Sequence, residues 1–118
     1  MAIDLNEIQK EIIENKKKHG WATDNICREF CWLYGEVGEA FEAYNKQKPK
    51  EELASELADV AIYLMGIAEL QNISLSDEIE KKMEINRHRK YITIDGKILK
   101  VDDRDPKYKD YINNSGSF

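Results

Sequence analysis

Two acid pairs carry the clearest chemistry in this sequence. Glu36 and Glu39, and Glu56 and Asp59, are each spaced i, i+3, which on a helix puts both carboxylates of a pair on one face. At about 100° per residue from Glu36, Ala40 falls at about 40°, Leu33 at about 60° and Glu39 at about −60°. The same projection from Glu56 puts Ile67 at about 20°, Val60 at about 40° and Asp59 at about −60°. Glu36 and Glu56 therefore border apolar arcs, and both pairs point to where two helices would meet. Four carboxylates at such a seam repel by on the order of several kcal/mol unless something neutralises them. A hard divalent cation would do so. All-oxygen ligation favours Mg2+, with Mn2+ as the alternative, over zinc, and Mg2+ characteristically bridges to phosphates, so a phosphate-bearing substrate is expected.

An acid pair at this spacing is commonly a solvated helix face, and Glu42, Glu51 and Glu52 are read that way. Two features set the other four apart. Gly35 and Gly38 flank Glu36 in a stretch otherwise free of glycine, which predicts a close approach by a neighbouring helix. Lys82 and Asn86 fall at i, i+4 with Arg87 and Arg89 just beyond, giving cationic and amide donors suited to a phosphate chain.

The elements that must position these groups are helices. Ile3, Leu5, Ile8, Ile12 and Ile13 recur at helical spacing before Lys16, Lys17, Lys18, His19 and Gly20, cations in a last turn followed by a glycine stop. Thr23 or Asp24 is the expected cap of a second helix reaching Asn45, with Ile26, Phe30, Leu33, Val37, Phe41 and Tyr44 on its apolar arc. Pro49 stands where a third helix can start, and Leu53, Leu57, Val60, Ala61, Leu64, Ile67 and Ala68 form its stripe. Ser74 with Asp77 resembles a capping box ahead of Leu75, Ile79 and Met83 in a shorter fourth helix. Alternating runs on either side of Asp95-Gly96 predict a small hairpin, and the polar composition from about Asp102 onward predicts a loose tail. The expected fold is all-α: a four-helix bundle over residues 1–90, then the short C-terminal β-hairpin and flexible tail over residues 91–118.

The chain of 118 residues has a net charge of −5 and is 35% charged. Residues 36–80 carry −8 and residues 81–118 carry +4, so the acidity is concentrated in the two helices with the acid pairs. That balance argues against binding a nucleic acid polymer, which needs clustered cations on one face. No apolar run is long enough for a signal peptide or a membrane span, and a soluble cytoplasmic protein is expected. Cys27 and Cys31 read as buried reduced thiols, and His19 and His88 have no neighbours that would make a base and its orienter. A thin core for a monomer favours a homodimer or homotetramer.

Gly35-Glu36-Val37-Gly38-Glu39-Ala40, Glu56-Leu57-Ala58-Asp59-Val60 with Tyr63, and Lys82-Met83-Glu84-Ile85-Asn86-Arg87 together resemble the MazG-like nucleotide pyrophosphohydrolases of the all-α nucleoside triphosphate pyrophosphatase superfamily. The resemblance spans roughly Trp21 to Lys90. It implies Mg2+-dependent hydrolysis of a nucleoside triphosphate, often a deoxy or damaged one, to the monophosphate and pyrophosphate, as in nucleotide-pool house-cleaning. It further implies Glu36, Glu39, Glu56 and Asp59 as metal ligands, with Glu36 or Glu39 also acting on the attacking water. Lys82 and Asn86 would contact phosphate and sugar with Arg89 nearby, and Tyr63 and Trp21 would face the substrate. Trp32 stands where a smaller residue is commoner in the family, which leaves open a base pocket or a subunit contact. Two alternatives stand beside this reading: a phosphoribosyl-ATP pyrophosphohydrolase of the same fold, and a non-catalytic helical interaction module whose acids are solvated.

Overall fold

The computed structural model describes residues 3–115. Its elements are α1 (Leu5–Lys18), α2 (Ile26–Asn45), α3 (Lys50–Leu70), α4 (Leu75–Arg87), β1 (Arg89–Ile94), β2 (Lys97–Asp102), a 3-10 turn at Pro106–Tyr108 and α5 (Lys109–Ser115). The fold is all-α with a two-stranded hairpin. No helix among the described residues is long and apolar enough to cross a membrane. The chain compacts as two units, Met1–Ser76 and Asp77–Phe118, so the break falls near the start of α4 rather than before the hairpin.

In the first unit α3 packs on both α1 and α2. Ile13, Leu33, Ala40, Ala43, Ile67 and Ala68 are its buried apolar residues. Close approach is made possible by Gly66, where an added Cβ would meet Ile12 Cγ2 at 3.3 Å and Ile13 Cδ1 at 3.7 Å. The tight contact expected at Gly35 and Gly38 is not there, since a Cβ at either position meets nothing within 4 Å. Both glycines lie about 100° or more from the Leu33–Ala40 face that meets α3. Cys27 and Cys31 are free thiols but exposed, not buried as expected.

Two buried polar side chains tie these helices together. Gln9 of α1 donates to the Ile73 carbonyl at 2.7 Å and accepts from the Leu75 amide at 3.2 Å, fixing the α3–α4 connection against α1. Glu29 of α2 accepts from Lys16 of α1 at 2.7 Å.

The caps follow the backbone. Asp4 accepts from the amides of Asn6 and Glu7. At α2 the cap is Asn25, neither Thr23 nor Asp24: Asn25 has the extended backbone and accepts from the Arg28 amide at 3.0 Å, while Asp24 meets the Arg28 guanidinium at 3.5 Å. The ends of α1, α2 and α3 share one hydrogen-bond pattern, with Trp21 N–H donating to Lys16 O, Lys48 to Ala43 and Ile73 to Ala68, the Schellman closure. Its left-handed position is filled by Gly20, Gln47 and Asn72 respectively.

In the second unit β1 and β2 pair antiparallel in the register Ile94↔Lys97 to Arg89↔Asp102. Asp95 and Gly96 both have positive φ, 51° and 75°, as a tight two-residue turn requires. Ile92 and Val101 are buried. The stretch beyond Asp102, expected to be loose, has local order instead. Asp105 accepts from the Lys107 amide to start the 3-10 turn, Pro106 suits its first position, and α5 packs on β1. His88 sits between two carboxylates, Nδ1 at 2.8 Å from Asp103 and Nε2 at 2.9 Å from Glu84, linking the end of α4 to the residues after β2.

Gln47 holds φ 54° without being glycine or asparagine, which strains an L side chain by about 1 kcal/mol or more. Gln47→Gly is therefore expected to stabilise the protein by about 0.5–1 kcal/mol and raise Tm by a few degrees in a thermal melt. An unchanged or lower Tm would contradict the strain.

Candidate active site

A short connection, residues 46–49, folds α3 back along α2. Glu36, one turn from the buried Leu33 and Ala40, then lies opposite Glu56 and Asp59. One oxygen from each of Glu36, Glu56 and Asp59 lies within 4.8 Å of the others. Glu39, exposed at the rim, is within hydrogen-bonding reach of both Glu36 and Glu56. Three of the four carboxylates that the spacing pointed to one seam converge there, with Glu39 at the rim beside them.

Their electrostatics are unfavourable as they stand. Glu36 and Glu56 are held above the ordinary glutamate range, first by burial and then by the charges and hydrogen bonds of the neighbouring acids. Oε2 of Glu36 and Oε2 of Glu56 are both buried without a hydrogen-bond partner. Orphaned acceptors of this kind are rare in folded proteins, because each carries its full desolvation penalty. Converging carboxylate oxygens with open lone pairs are the donor set of a hard divalent cation, and Glu36, Glu56 and Asp59, with Glu39 beside them, could hold one.

Beside the acids lies a cavity of about 400 Å3 lined by Lys16, Trp21, Ala22, Arg28, Trp32 and Tyr63. Tyr63 is one turn past Asp59 and joins the two regions. Its hydroxyl is pushed up first by burial and then by Glu36, Glu29, Asp59 and Glu39, so it stays protonated. Trp32 meets Tyr63 edge to face at 6.3 Å between ring centroids. The Lys16 ammonium lies 4.9 Å from the Tyr63 ring centre and 5.9 Å from that of Trp32, and the Arg28 guanidinium lies 5.1 Å from Trp32. Trp21, set at the cavity by the closing turn of α1, stacks on His19 at 4.9 Å.

Trp21 and Tyr63 line one cavity, and Trp32, whose role the sequence left open, lines it with them. Lys16, Arg28 and Glu29 were missed. Lys16 reads as one of three cations closing a helix, yet it lies four residues after Ile12 and three after Ile13 on the apolar side. Glu29 likewise falls between Ile26 and Leu33 on the buried arc. A charged residue in phase with a core stripe was the available signal. Lys82 and Asn86 are exposed on α4 and Arg89 opens β1; all three belong to the second unit.

Helices that meet over clustered acids beside an aromatic cavity define an all-α protein with a carboxylate centre that could hold a cation. Residues 27–92 match the MazG nucleotide pyrophosphohydrolase domain, and the chain belongs to that family. Among solved structures it is similar to a cyanophage S-2L MazG-like pyrophosphohydrolase bound to dGDP and three catalytic Mn2+ ions per active site, with a TM-score of 0.62, 24% identity, and 85% of this chain and 94% of that chain covered. At that identity the likeness is one of fold. No curated protein sequence matches the chain.

A carboxyl held more protonated in the fold than in the unfolded chain contributes stability below its unfolded pKa, and that contribution is lost as pH rises through the raised folded value. In EDTA, Glu36→Gln is therefore expected to melt above the wild type, by a margin that widens as the pH is raised from the ordinary glutamate range toward neutrality. Calorimetry across that range checks it. A margin that is absent or narrows with pH would contradict the repulsion.

Proposed function

We propose that this protein hydrolyses a nucleoside triphosphate, of deoxy or modified type, between the α and β phosphates, releasing the monophosphate and pyrophosphate in nucleotide-pool house-cleaning in the cytoplasm. The observation that carries the reading is the pair of buried, unpartnered oxygens on Glu36 and Glu56 within one carboxylate cluster; membership of the family supplies the reaction class.

Glu36, Glu39, Glu56 and Asp59 are the proposed ligands of Mg2+ or Mn2+. A cation bound there neutralises charge on the phosphates and lowers the pKa of a water. The remaining steps belong to the chain. Glu39, exposed at the rim and beside Glu36, takes the proton of the attacking water while Glu36 orients it. The water oxygen bonds to the α phosphorus as the bond to the bridging oxygen breaks, and pyrophosphate leaves with that electron pair. Trp21 and Tyr63 receive the base, and Lys82, Asn86 and Arg89 are proposed donors to phosphate and sugar. No nucleophilic Ser, Cys or His is needed.

The protein is also proposed to act as a homodimer or homotetramer. Phe30, Tyr34, Val37, Phe41 and Tyr44 recur at i, i+4, i+7, i+11 and i+14 on α2, the spacing of a helix–helix seam. Tyr34, Phe41 and Tyr44 are 71%, 64% and 69% exposed. A second copy of the same seam is the proposed cover.

Incubation with a panel of canonical and modified nucleoside triphosphates is expected to release pyrophosphate with Mg2+ or Mn2+ and none with EDTA. Asp59→Asn is expected to reduce kcat by about 100-fold or more while leaving the circular dichroism spectrum unchanged. Release that survives chelation, or an Asp59→Asn enzyme within about two-fold of wild type, would overturn the assignment. Light scattering is expected to give a multiple of 13.8 kDa, and the Tyr34→Glu, Phe41→Glu double variant a monomer. A monomeric wild type would overturn the seam.

A further inference from the structure

We propose that the cavity beside the carboxylates selects its nucleobase by a keto group at purine C6 or pyrimidine C4, so that guanine, hypoxanthine, uracil and thymine nucleotides are taken in preference to those of adenine and cytosine. The inference rests on the nucleotide reading above and names the substrate class within it.

The argument is the hydrogen-bonding inventory of the lining. Trp21 and Trp32 offer indole N–H donors, Lys16 and Arg28 are donors only, Ala22 has no polar side chain, and Tyr63 alone can also accept. No lining side chain is an obligate acceptor. Two acids touch the lining cations and neither lines the cavity: Asp24 meets the Arg28 guanidinium at 3.5 Å, and Glu29, which is 2% exposed, takes one N–H of Lys16 on its Oε2 at 2.7 Å. That leaves two N–H groups on an ammonium held at the faces of Tyr63 and Trp32, 4.9 Å and 5.9 Å from the ring centres. Lys16 is nearly enclosed, with its side chain 12% exposed. Arg28 adds a second donor without a partner, since its Nε is buried and makes no hydrogen bond.

An ion pair such as Lys16–Glu29 contributes little net stability once its desolvation is counted, but it fixes where the ammonium sits. A keto oxygen, or the purine pair of O6 and N7, accepts from these donors. An exocyclic amino group at that position turns its own hydrogens toward two cations and cannot accept from them, so adenine and cytosine offer only a neighbouring ring nitrogen where the keto bases offer the oxygen as well. A site that binds through buried hydrogen bonds rejects an analogue that cannot make them.

Both tryptophans of the chain line this cavity, so intrinsic fluorescence reports its occupancy without metal or turnover. The experiment titrates the protein with dIMP against dAMP and with dUMP against dCMP, pairs that differ in keto for amino. The keto member of each pair is expected to quench with a Kd about 10-fold lower or better. Lys16→Met alone would strand Glu29 as a buried charge, so the variant is Lys16→Met with Glu29→Met. It is expected to keep the helical circular dichroism spectrum and bring each pair within about two-fold. Equal affinities, an amino preference, or a preference unchanged in a folded double variant would overturn the proposal. So would quenching by none of the four, which would put the base elsewhere, whereas the nucleotide reading stands or falls separately on pyrophosphate release.

Discussion

The structure turns on a repulsion that the fold itself creates. Folding α3 back on α2 buries Leu33, Ala40, Ala43, Ile67 and Ala68, and the same register carries Glu36, Glu56 and Asp59 to within 4.8 Å of one another. Apolar burial drives the pairing of the helices, and the carboxylates are carried into contact against their own electrostatics. Burial and neighbouring charge push Glu36 and Glu56 up together, so the two helices meet at a site that is strained until its charge is met. Pre-organised charge of this kind is a common way for a fold to hold a site ready at the expense of its own stability.

The cavity beside the acids has the opposite electrostatic character, and Tyr63 lies between the two. On one side are oxygens without donors, on the other Lys16 and Arg28 with spare donors. Glu29 keeps the cationic side in place: its ion pair ties α1 to α2 and sets the ammonium against the aromatic faces. The proposed ligand, with an anionic end accompanied by cations and an aromatic end rich in acceptors, would match both halves. The closing turn of α1, with Gly20 in the left-handed position, is the backbone device that brings Trp21 to the edge of the same cavity.

How much of this was legible depended on range. The acid quartet could be read because i, i+3 spacing and a short connection between amphipathic helices leave few ways to arrange four carboxylates. The hairpin could be read because Asp95-Gly96 dictates its turn. The glycines misled, since helix propensity says that Gly35 and Gly38 carry a cost without saying which face meets a neighbour; Gly66 is the one that admits Ile12 and Ile13. Asn25 displaced Thr23 and Asp24 as a cap because only the backbone path shows which residue is extended at the start of α2. The order after Asp102 was hidden because it arises from local caps at Asp105 and from packing of α5 on β1, contacts that composition does not encode. Lys16 and Glu29 were hidden because each looks like an ordinary surface charge until the partner 13 residues away is known.

The uneven charge of the chain follows the same logic. The segment with the acid pairs carries −8, and the segment from residue 81 onward carries +4. A bare polyanion approaching the α2–α3 seam meets like charge, whereas one that brings divalent cations adds the charge the carboxylates lack. Affinity for the anion and for its cations is then a single coupled quantity: each cation that reaches the seam lowers the repulsion felt by the next phosphate, and each phosphate adds ligands for the cation. An acidic protein can in this way hold a strongly anionic ligand without a basic groove, and on the proposed reading the charge that holds Glu36 and Glu56 up is the charge such cations would meet.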